Sequence, residues 1–102
     1  RSCAHYRPSW RVVEFEWDQR KADANLAKHG VSFDEAMTVF GDSRAITTDD
    51  PDHSIDEHRR LVLAQSEQGR LLALVFTVRP TGVRLISARQ ANRRERRRYE
   101  EG

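Results

Sequence analysis

Residues 59–88, RRLVLAQSEQGRLLALVFTVRPTGVRLISA, decide the fold. RRLVLAQ (59–65), RLLALVFTV (70–78) and VRLISA (83–88) are β-rich runs separated by SEQG and RPTG. Both separators have hairpin length and contain Gly, so the three runs should be neighbouring antiparallel strands. LLALVFTV is apolar at consecutive positions, which predicts a central strand covered on both faces.

Upstream, the apolar period changes from 2 to 3.6. In VVEFEW (12–17), Val13, Phe15 and Trp17 alternate with Glu14 and Glu16, predicting a half-buried strand. DQRKADANLAKHG follows, with Asp18 as N-cap, Ala22, Leu26 and Ala27 at helical spacing, and Gly30 as the left-handed stop. In VSFDEAMTVFGD, Ser32 and Glu35 form an S-x-x-E capping box. Phe33, Ala36, Met37 and Phe40 then make a stripe that ends at Gly41. RAITTD (44–49) reads as a short strand and DDPDHSIDEH (49–58) as a polar loop. RRERRRYEE closes the chain as a helix, with Ala88, Ala91, Glu95 and Tyr99 on one face. Arg93, Arg94, Arg96 and Arg97 point elsewhere. The expected fold is α+β: an antiparallel sheet with two N-terminal helices and one C-terminal helix packed on it. Residues 1–12 read as an N-terminal tail or extension, and 13–102 as one domain.

With 102 residues, the chain suits one compact domain and one modest core. No apolar run approaches the roughly 20 residues of a membrane span. RSCAHYRPSWRVV lacks the apolar core of a secretory signal. Cys3 is the single cysteine, which excludes an intramolecular disulfide and a thiolate zinc cluster and points to a reducing cytoplasm. Net charge is only +2, yet acids dominate from Asp34 to Glu57 and arginines from Arg84 onward. Such a dipolar domain can hold a polyanion at one pole, although both runs also read simply as solvated surface.

The acidic loop does not make an EF-hand. Counted from Asp50, the sixth and twelfth positions hold Ile55 and Leu61 instead of Gly and Glu. His53 and His58 also miss helical zinc spacing. No phosphate-cradling Gly loop and no serine elbow occur. No metal and no cofactor are expected.

What remains is a set of cations and proton carriers: Lys21, Lys28, His29, Arg60, Arg79, Arg84, Arg89 and Tyr99. Several stand where an element ends, a position that presents side chains to a ligand. The set suits metal-free RNA cleavage, in which the 2′-hydroxyl attacks its own phosphate. Arg60, Arg79 and Arg89 would hold phosphate and its developing charge, while Lys28, His29 or Tyr99 would move protons. DNA lacks the 2′-hydroxyl, so this chemistry would select RNA. Lys21, Arg84, Arg93, Arg94 and Arg97 would attract the RNA backbone. Each feature also has a structural explanation. Lys28 and His29 complement a helix C-terminus, strand-flanking arginines deter aggregation, and Tyr99 can cover core.

FEWDQRKADANLAKHGVSFDEAMTVF (15–40) and LISARQANRRERRRYEE (85–101) together resemble the BrnT family, the toxin half of a type II toxin–antitoxin pair. The DPDHS and RRLVLA segments between them fit the same family. Lys21, Asn25, Lys28, His29 and Gly30 match its first motif; Arg60, Arg79, Ser87, Arg89, Glu95 and Tyr99 match the later ones. The resemblance implies a RelE-like fold, a ribonuclease that inhibits translation, and a BrnA-type antitoxin with a ribbon-helix-helix domain. Operator DNA would then be contacted mainly through the antitoxin. The alternative is a non-catalytic nucleic-acid- or protein-binding module using the arginine-rich helix.

Overall fold

The computed structural model describes residues 2–6, 13–49 and 59–102. The elements are β1 (Ser2–Tyr6), β2 (Val13–Trp17), α1 (Gln19–His29), α2 (Phe33–Met37), β3 (Ile46–Asp49), β4 (Arg59–Gln65), β5 (Leu71–Arg79), β6 (Gly82–Gln90) and α3 (Arg93–Glu101). A 3-10 turn over Thr38–Gly41 extends α2. Among the described residues, no helix is long and apolar enough to cross a membrane.

The strands form one sheet in the order β1-β2-β6-β5-β4-β3. β4, β5 and β6 are consecutive antiparallel neighbours, as their hairpin-length separators require. The sheet is nevertheless mixed, because β2 pairs with β6 in parallel through Phe15↔Val83 and Glu16↔Arg84. The expectation of a wholly antiparallel sheet is corrected here. A parallel pair needs a long crossover, and everything from α1 to β5 supplies one; turn chemistry reports only on adjacent strands. Ser2–Tyr6, inside the stretch expected as a tail, is an edge strand antiparallel to β2.

The two faces of the sheet differ. Phe15, Trp17, Val62, Ala64, Leu72, Leu74, Phe76, Leu85 and Ala88 share one face and pack beneath Ala22, Val31, Phe33, Ala36 and Val39 from the α1–α2 region. Phe40 bridges Phe15 and Phe76, with ring centroids 5.2 and 5.1 Å away. The opposite face carries Leu63, Leu71 and Ala73, which are also buried, so β5 is covered on both sides as its apolar run requires. There α3 lies against β4, without burying any residue of its own.

A bulge interrupts the β5–β6 register. Val75 faces Ser87, whereas Phe76 faces Leu85, which leaves Ile86 as the extra residue. Gly82 opens β6 at φ +139°, where a Cβ would stand 2.3 Å from the Glu14 carbonyl oxygen. Glycine there allows β2 and β6 to approach.

Local signals need one revision. Asp18 caps α1 and Gly30 ends it in the left-handed conformation, as read from the sequence. Ser32 accepts from the Glu35 amide, but the Glu35 carboxylate does not return to complete a capping box. It turns instead to Ser66 (2.7 Å) and the Arg70 guanidinium. A full capping box occurs in α3, between Asn92 and Glu95.

Candidate active site

Asn25 is 7% exposed and positions the first group of candidates. Its amide nitrogen donates to the carbonyls of Ala88 (2.7 Å) and Val31 (3.0 Å), and its oxygen accepts from the Ala88 amide (3.0 Å). This side chain extends the edge of β6 beyond the end of β2 and fixes the last turn of α1. Lys28, which is exposed, and His29, which is half-buried, are therefore carried at the Arg89 end of β6. Arg70 anchors the same corner by donating to the Gly30 carbonyl (3.0 Å). Hydrogen bonds from Arg70, helped by Ser66, hold the Glu35 carboxyl below its ordinary pKa against the opposing effect of burial.

Arg89 projects from β6 on the face opposite α1 and α2. Its guanidinium makes a two-pronged pair with Glu95, Nη1–Oε1 2.7 Å and Nη2–Oε2 2.9 Å. The Arg89 bond, more than the Asn92 amide, holds Glu95 below the usual carboxylate range. One turn along α3, the Tyr99 hydroxyl donates to Asp42 (2.6 Å). Asp42 also accepts from the amides of Gln65 (2.8 Å) and Arg44 (3.0 Å). Burial works against the Asp42 charge, but these three bonds outweigh it and lower its pKa. Burial, then the Asp42 bond, raises the Tyr99 pKa, so the phenol keeps its proton. The Arg44 guanidinium lies 5.8 Å from the ring centroid.

A second group stands at the other end of the sheet. Arg84 and Arg59 flank Thr77 across the strands, on the same face as Arg89. Arg84 and Arg89 are separated by about 13 Å along the strand, at roughly 3.3 Å per residue. Thr77 is 4% exposed, and its hydroxyl has no hydrogen-bond partner among the described residues. Arg79 faces Gly82 at the end of β5. Arg60 pairs with Phe76 in register and so projects from the opposite face, the one covered by α1 and α2.

The expected catalytic set is thus divided. Lys28 and His29 lie at the Arg89 end of the sheet on the α1 side, Arg89 and Tyr99 at that end on the opposite face, and Arg60 and Arg79 at the other end. Among the RNA-binding candidates, Arg84 stands beside Thr77, Lys21 is exposed near the start of α1, and Arg93, Arg94 and Arg97 are exposed on α3. Most of the acidic loop, including His53 and His58, lies outside the described residues. Elsewhere, no group of three His, Cys, Asp or Glu side chains is placed to hold a metal.

Sequence reading missed Arg70 and Asp42, whose partners Glu35 and Tyr99 are distant in the chain, and Arg59 and Thr77, which only the strand register brings together. Glu95 carried a usable signal, N-x-x-E ahead of a helix. Asn25 carried another, an amide one position before the apolar Leu26, which is itself 50% exposed.

Comparison with known proteins agrees with this architecture. The family model of the ribonuclease toxin BrnT of type II toxin–antitoxin systems matches residues 17–95. The crystal structure of the Brucella abortus ribonuclease toxin BrnT is similar, with a TM-score of 0.59 and 22% identity. The match covers 78% of this chain and 96% of that one. At this identity the likeness concerns the fold. No curated protein matches the chain. The family match spans most of the sequence, from the end of β2 into α3, and on that ground the chain belongs to the BrnT family of ribonuclease toxins of type II toxin–antitoxin systems.

Proposed function

We propose that this chain is an endoribonuclease that cleaves RNA without a bound metal, inhibits translation, and is neutralised by a BrnA-type antitoxin. The antitoxin's ribbon-helix-helix domain would make most contacts to operator DNA, and the pair would form a hetero-oligomer. A reducing cytoplasm suits the RNA substrate and the lone Cys3. We take residues 13–102 as the toxin domain and read its architecture as RelE-like.

The observation that supports this reading is that Arg89 and Tyr99, both engaged along α3, stand at the end of the sheet where α1 brings Lys28 and His29 on the other face. In-line attack by a 2′-hydroxyl needs an acceptor for its proton, a donor to the leaving oxygen and cations on the phosphoryl oxygens. Arg89 offers a two-pronged fork for phosphate once Glu95 yields it. Tyr99, which holds its proton, suits the donor role rather than the base. His29 is then the first choice for base, with Lys28 beside it as a cation. Arg84 and Arg79 would bind flanking phosphates, joined by Lys21, Arg93, Arg94 and Arg97, with Arg60 left to a contact on the other face of the sheet.

One observation favours the non-catalytic alternative: carboxylates already engage both Arg89 and Tyr99. The purified protein with RNA in excess EDTA decides between the two. Cleavage that survives chelation and falls at least a hundredfold in a folded Arg89→Ala variant is the expected result. Loss of cleavage in EDTA, or full activity in the variant, overturns the mechanism.

A further inference from the structure

We propose that the groove between α3 and the β3–β4 edge seats a segment of the partner antitoxin, with aliphatic side chains turned inward and carboxylates outward. This proposal rests on the toxin–antitoxin reading and adds to it a surface and the chemistry of its occupant. The groove has a volume of 460 Å³ and is lined by Thr48, Leu61, Leu63, Asn92, Arg94, Glu95 and Arg98. That volume lies in the range of pockets that enclose a ligand-sized group.

Leu61 and Leu63 point to this face of β4, with Thr48 beside them on β3. The floor is therefore aliphatic. Arg94 and Arg98 line the wall one helical turn apart, at the spacing where two side chains can grip one chain. The other charged wall residue, Glu95, is already paired with Arg89, so the surplus charge of the groove is positive. A positive rim over an aliphatic floor complements an acidic, aliphatic peptide.

RNA fits less well. Single-stranded RNA is gripped by stacking its bases on aromatic rings, and among the described residues no aromatic side chain lines this groove. Arg94, an RNA candidate on charge alone, faces the groove. β3 is also the terminal strand of the sheet among the described residues, so the groove opens at an edge that an extended segment can reach. An occupant would press on the helix that holds Arg89 through Glu95, linking partner binding to the candidate active site.

The test uses the full chain and the protein encoded in the adjacent reading frame. Three variants are compared: Thr48→Glu, which adds a like charge to the acidic occupant; Thr48→Gln, its neutral match in size; and Arg98→Gln. Circular dichroism establishes folding, and calorimetry measures affinity for the partner. RNA cleavage by the free chain is assayed in parallel. The expected result is at least a tenfold loss of partner affinity in Thr48→Glu, a smaller loss in Thr48→Gln, and a several-fold loss in Arg98→Gln, with RNA cleavage retained. Unchanged partner affinity in folded Thr48→Glu and Arg98→Gln overturns the proposal. So does a loss of RNA cleavage with partner affinity intact, which would assign the groove to RNA. Absence of partner binding by the unmodified chain also overturns it. Absence of RNA cleavage by that chain instead overturns the functional reading on which it rests.

Discussion

The side-chain amide of Asn25 pairs with the Ala88 backbone in both directions, donating to its carbonyl at 2.7 Å and accepting from its amide at 3.0 Å. It takes the place that a continued β2 would occupy. Asn25→Leu leaves buried backbone groups unpaired, at about 1–3 kcal/mol for each orphaned group. We expect a loss of about 2–4 kcal/mol in denaturant unfolding on that basis. Asn25→Asp should lose at least as much at neutral pH, because a carboxylate would face the carbonyls of Val31 and Ala88.

Stability should fall on acidification. Glu35, Asp42 and Glu95 all have folded-state pKa values below their ordinary ones. Such groups contribute their full stabilisation above the unfolded carboxylate pKa, near 4. The contribution is lost as pH falls through the lower, folded values. Thermal melts between pH 7 and 2 should show this loss, and Glu35→Gln should lower stability at pH 7 while flattening the acid limb. Tyr99 works in the opposite direction: its raised pKa makes its contribution complete below about pH 10, with loss as pH rises further.

Gly82→Ala should be among the most damaging small substitutions. The new Cβ would meet the Glu14 carbonyl at 2.3 Å, at a φ that alanine rarely adopts. A cost of about 3 kcal/mol or more is expected, since backbone strain alone reaches about 1–3 kcal/mol. Chemical denaturation measures it.

Thr77→Val should stabilise the protein. It replaces a buried hydroxyl that has no partner among the described residues by a methyl group of similar shape. A gain of about 1 kcal/mol is expected, toward the low end of the cost of an unsatisfied buried group. A lower melting temperature would indicate that the hydroxyl has a partner in solution.

Glu95→Gln separates the structural role of Glu95 from its effect on Arg89. Gln keeps the capping box but removes the charge that neutralises the guanidinium. The pair is partly exposed, so the stability change should be small, under about 1 kcal/mol. RNA affinity measured by filter binding should rise several-fold, and a fall would mean that Glu95 holds Arg89 in its working position.

Local chemistry in the chain foretold the helices, the central strand and the β4–β5–β6 order, because capping, glycine stops and short turns act between near neighbours. The parallel β2–β6 pair depends on contacts formed across most of the chain, which no local pattern encodes. The site divides in the same way. Residue types named Arg89, Tyr99, Lys28 and His29, and folding brings them to one end. What residue types could not reveal is that Glu95 and Asp42 already engage two of them. Nor could they reveal that Arg60 lies on the opposite face of the sheet.

Arg84 and Arg89 are five positions apart, an odd spacing that in a regular strand would send them to opposite faces. Ile86, the residue left over at the bulge, restores parity and brings both to one face. A chain lacking only Ile86 would keep every arginine and its net charge. Its β6 could then run as a regular strand, with Arg84 and Arg89 four positions apart on the outer face and Leu85 and Ala88 both in the core. One residue added beside Ile86 would instead upset the parity, and a polyanion would meet a surface with one of its arginines turned to the other face, even though its charge was unchanged.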